Sequence, residues 1–75
     1  MENKDIQRYL ENWRDERNSA AIYQALSQHE KDERIASVYQ RMAETELRHA
    51  EKWAKHITEA GGQLPEFCPA ARTRI

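Results

Sequence analysis

Seventy-five residues make at most one domain, and with 33% of them charged and a mean hydropathy of -1.07 the chain has little apolar material for a core of its own. A formal net charge of -1, with both signs interspersed, excludes the basic footprint of a nucleic-acid or anionic-membrane binder. Its single cysteine, Cys68, excludes an intrachain disulfide framework and a CxxC metal knuckle. No apolar run spans a bilayer and the N-terminus lacks a signal peptide's apolar core, so the expected location is the cytoplasm. A piece this small is usually completed by a metal, a partner segment or a second copy.

Asn3 reads as the N-cap of a first helix, with Asp5 placed in its first turn where the dipole favours negative charge. Ile6, Tyr9, Leu10, Trp13, Ala20, Tyr23 and Leu26 then recur at helical spacing. Glu16 falls inside that stripe, because Tyr9, Trp13, Glu16, Ala20 and Tyr23 step by four, three, four and three. Gln28-His-Glu-Lys-Asp32 is a polar break, and Asp32 suits the N-cap of a second helix with Glu33 in its first turn. The second stripe runs Ile35, Val38, Tyr39, Met42, Ala43, Glu46, His49, Ala50, Trp53, Ile57 until Gly61-Gly62 ends it. No glycine or proline precedes Gly61, so one continuous helix is sterically allowed; the mid-chain polar break favours a hairpin. The expected architecture is therefore all-α: an antiparallel helical hairpin over residues 1–62, with helices at about 4–29 and 33–60, and an irregular linker or docking arm over 63–75.

The chemistry sits where the stripes break their own rule. Tyr39, Met42, Glu46, His49 and Trp53 share one helix face, so a carboxylate and an imidazole are expected in an apolar seam, where each is costly unless paired or metal-bound. Glu16 and Glu46 are thirty residues apart with their midpoint at position 31, inside the polar break. Folding there puts both about 22 Å from the turn, level with each other across the hairpin. An isolated Glu-x-x-His has a commoner fate, with Glu46 paired to Arg48 or Lys52 at a helix edge and His49 packed on Trp53. Against that stand two seam carboxylates at matched height and no lysine or arginine on either seam. Glu16, Glu46 and His49 are thus candidate metal ligands and the residues on which any catalysis would turn. One chain supplies too few donors to close a redox-metal site. Two chains about a two-fold axis supply four carboxylates and two imidazoles, the set of a di-iron four-helix bundle, with iron or manganese suited to the oxygen-rich donors. Tyr23, one heptad beyond Glu16, suits core packing or a hydrogen bond to a ligating carboxylate. His29 and His56 read as surface residues.

Glu16, followed thirty residues later by Glu46-Leu-Arg-His49-Ala and with Tyr23 after the first acid, resembles the short two-helix ferritin-like proteins. These include the encapsulated ferritins and the rubrerythrin-like domains fused to vacuolar-iron-transporter-type membrane proteins. Asn12-Trp-Arg-Asp-Glu16, Ser19-Ala-Ala-Ile-Tyr23-Gln-Ala-Leu26 and the tail Ala71-Arg-Thr-Arg-Ile75 are similar to the transporter-fused group. The resemblance implies a cytoplasmic ferroxidase-like domain that oxidises Fe(II) with O2 and holds two iron ions per homodimer. It also implies ligands at Glu16, Glu46 and His49, and a membrane transporter domain following in the full-length protein. Rubrerythrin's cysteine-ligated iron centre has no counterpart in a chain with one cysteine. A storage cargo of the encapsulated type, and a metal-free dimerisation module in which the acids set register, are the rival expectations.

Overall fold

The computed structural model describes residues 3–69. Two antiparallel helices, α1 (Asn3–His29) and α2 (Glu33–Glu59), make an all-α hairpin. Asn3, expected just outside the first helix, is its first residue. At the break, Asp32 takes an extended backbone (φ -81°, ψ 115°), and its Oδ1 accepts from the backbone N–H of Arg34 (2.9 Å) and Ile35 (3.4 Å). Those are donors that the first turn of α2 leaves without helical partners. Ser27 Oγ donates to the Ala36 carbonyl at 2.9 Å and ties the end of α1 to the start of α2. Among the described residues no helix is long and apolar enough to cross a membrane.

The far end of α2 closes with a Schellman motif. Gly62 N–H reaches the Ile57 carbonyl (2.9 Å), Gly61 N–H reaches the Thr58 carbonyl (3.1 Å), and Gly61 adopts φ +87°. Gly62 sits in a close approach: a Cβ there would lie 3.1 Å from the side chains of both Ile57 and Ile6, which would have to give by a few tenths of an ångström. This reversal turns residues 63–69 back along the hairpin without regular structure, and Phe67 packs edge-on against Trp13 (centroids 6.0 Å apart, planes at 83°). Residues 70–75, including the Ala71–Ile75 tail, lie outside the described residues.

The buried line between the helices differs from the expected one. Trp13 and Ala20 of α1 and Ala43, Ala50 and Ile57 of α2 are buried, whereas Met42 and His49 are exposed. Small side chains at Ala20, Ala43 and Ala50 let the backbones approach, so the helix–helix contact centres on them. The larger Tyr39–Met42–Glu46–His49–Trp53 stripe is displaced to one shoulder. A single partner helix covers only part of an apolar face this broad, so Ile35, Val38 and Met42 stay in contact with solvent. The expectation of a dry seam around Glu46 and His49 is corrected accordingly for the single chain.

Candidate metal centre

Glu16 projects from the middle of α1, and Glu46 and His49 project from α2 one turn apart. Their ligand-type atoms all lie within 4.8 Å of one another. His49 Nδ1 is 3.3 Å from Glu16 Oε2 and 3.8 Å from Glu46 Oε1. Both carboxylate side chains are 24% exposed and the imidazole 47%, so the cluster is roofed on the hairpin side and open on the other.

The electrostatics are unbalanced. Among the described residues, no lysine or arginine pairs with either carboxylate, and Arg48 instead donates to Thr45 Oγ1 at 3.1 Å. Glu16 Oε2 is fully buried and accepts no hydrogen bond, although His49 Nδ1 lies 3.3 Å from it. Burial, then the neighbouring Glu16 carboxyl, raise the pKa of Glu46 above the ordinary carboxylate value. His49 and the Ser19 hydroxyl pull it the other way. Ser19 is a residue that reading the stripes alone passes over; its position three residues after Glu16, on the same helical face, is the signal that could have found it.

Two carboxylates, one imidazole and an orphaned buried oxygen fit a divalent transition-metal ion. Ligand atoms on one such ion sit about 2.1 Å from it, hence at most about 4.2 Å apart. The observed spread, within 4.8 Å, is close to that limit. Three donors leave the sphere open. Two hollows flank the cluster on the same shoulder. One, of about 280 Å³, is lined by Tyr23, Val38, Arg41, Met42, Thr45 and Glu46. The other, of about 270 Å³, is lined by Glu16, His49, Lys52, Trp53 and His56.

Tyr23 stacks on Tyr39 (centroids 6.4 Å, planes at 23°), and no hydrogen bond from its hydroxyl to a carboxylate occurs among the described residues. His29 is exposed at the end of α1, and the exposed His56 packs at a tilt against Tyr9 (centroids 5.5 Å apart) and Trp53 (5.6 Å). Cys68 is a free, exposed thiol.

The profile of the family described as Rubrerythrin matches residues 10–74, which takes in both helices' share of the cluster. No curated protein and no solved structure gives a significant match.

Proposed function

This chain belongs to the rubrerythrin family, and from that premise we propose that it is a di-iron ferroxidase-like domain whose substrates are Fe(II) and O2. The observation that carries the reading is the convergence of Glu16, Glu46 and His49 around a buried carboxylate oxygen that no protein donor satisfies. Two chains meeting on this shoulder supply four carboxylates and two imidazoles, enough for two ions per homodimer or per pair within a larger ring. Exposed Ile35, Val38 and Met42 extend the ligand face toward the turn and provide apolar surface for that meeting.

Oxidation of two Fe(II) supplies two electrons, which with two protons take O2 to hydrogen peroxide. The protein's own part is electrostatic and geometric. Glu16 and Glu46 offset the charge of the incoming cations, and that charge in turn relieves their mutual repulsion. Burial and the Glu16 carboxyl raise the pKa of Glu46, and a bound cation would favour its ionised form. His49 adds one neutral nitrogen donor per chain and orients it from α2. The uncovered side of the cluster leaves positions for O2 and water.

The resemblance to vacuolar-iron-transporter-type proteins motivates our placing this domain on the cytoplasmic face of a membrane iron transporter, where it would hand over or gauge iron. Iron-storage cargo is the alternative setting for the same chemistry. A metal-free dimerisation module is the rival of a different class, and the exposed apolar strip on α2 is the feature that favours it.

The test is anaerobic Fe(II) titration followed by O2, on the wild type and on Glu46→Ala. About one iron per chain, an assembly that tightens on loading, and a fall in oxidation rate of more than about tenfold in the variant are expected. Equal rates in both proteins remove the ferroxidase reading. No iron uptake with unchanged assembly supports the dimerisation module.

A further inference from the structure

Arg17 follows Glu16 directly in sequence, yet its guanidinium is not within ion-pair distance of that carboxylate. It lies on the opposite side of the buried line, over two aromatic faces: 4.7 Å from the centroid of Phe67 and 5.8 Å from that of Trp13. Arg17 lines the hollow on that side with Trp13, Leu47, Ala50, Glu51 and Leu64, and forms no ion pair with Glu51. The two rings are themselves in edge contact, so residue 67 of the tail and residue 13 of α1 make one clamp.

A helical step of about 100° already aims Arg17 away from Glu16, but a side chain this long and flexible can bend back toward a neighbouring charge. The pull toward the carboxylates is substantial, since Glu16 carries a buried, unsatisfied oxygen. An arginine drawn there would neutralise the cluster and repel any divalent cation. We propose that Phe67 and Trp13 are positioning residues, which hold the Arg17 guanidinium by cation–π contact on the tail side and so keep the ion site free for metal. The proposal rests on the metal reading above. It gives the aperiodic tail a purpose, because Gly61 and Gly62 reverse the chain so that Phe67 can reach the clamp.

Co(II) alone, titrated optically into the full chain, is the probe; it needs no turnover. Phe67→Leu keeps apolar bulk but removes the ring, and is expected to weaken Co(II) binding about threefold at low salt, as a nearby unit charge would. Phe67→Tyr retains the ring and should bind like the wild type. Adding Arg17→Gln to Phe67→Leu restores affinity, while Arg17→Gln alone changes it little. The effect of Phe67→Leu should also shrink in 0.5 M salt, where screening extends over only a few ångströms. Equal losses with and without Arg17, or a loss indifferent to salt, mean that Phe67 acts only through packing and overturn the clamp. If Phe67→Leu fails to fold, Arg17→Gln still decides: a gain of about threefold in the otherwise intact chain shows that Arg17 was never held away. A wild type that takes up no Co(II) removes the metal reading, and the clamp with it.

Discussion

At the scale of single residues, the cluster sets two carboxyl groups beside each other, and this fixes the sign of its pH dependence. The pKa of Glu46 is raised in the folded chain, first by burial and then by the Glu16 carboxyl. Its ionised form is therefore penalised by folding above that raised pKa. As pH falls through the folded pKa toward the ordinary carboxylate value, the penalty disappears and the metal-free protein gains stability. On the proposed metal reading, cation affinity is expected to move the opposite way over the same window, because a ligating carboxyl must lose its proton. Glu46→Gln separates the two: metal-free melting temperature is expected to rise and to gain less as pH falls toward the ordinary carboxylate value, while cation binding falls by more than about tenfold. Thermal melts of metal-free protein across pH, beside titrations with Mn(II), read both. A metal-free Glu46→Gln protein that melts lower than the wild type would contradict this account.

At the scale of elements, both helix ends that matter rest on single residues. Asp32→Ala removes the acceptor for two backbone N–H groups at the start of α2 and is expected to cost about 1 kcal/mol, or some 4–8 °C in melting temperature for a chain this small. Gly61→Ala forces a Cβ into a φ of +87° and should cost about 1–2 kcal/mol, read in the same melts. Much of this level was legible in the sequence. The polar run at Gln28–Asp32 marked the turn, and the thirty-residue spacing of Glu16 and Glu46 put them at one height; that alone brings the three donors together. The burial pattern was not legible. Period 3.6 identifies an apolar face but not which line along it a single partner will cover, and here alanines decided, since close approach favours small side chains over large ones. The docking of Phe67 was invisible for another reason: its contact depends on a chain reversal, and no periodic pattern in the tail reports it.

At the scale of the whole molecule, a two-helix chain leaves one shoulder uncovered, and the candidate ligands stand on it beside Ile35, Val38 and Met42. Completion of the ion site and association of chains should therefore be one process. Ile35→Glu places a charge in the apolar strip about three turns from Glu46, outside the hollow that Met42 shares with that carboxylate. It is expected to shift the protein to monomer in sedimentation experiments and to lower metal uptake along with it. Full uptake by a monomeric Ile35→Glu protein would show that each chain holds its ion alone. The alanines at 20, 43 and 50 carry a last consequence. They carry no donor atom, yet by setting how near α1 lies to α2 they would govern how far Glu16 stands from Glu46 and His49, much as a calliper's screw sets its jaws. Enlarging one methyl group there would widen the jaws, so discrimination between smaller and larger cations is tunable from positions with no coordination chemistry of their own.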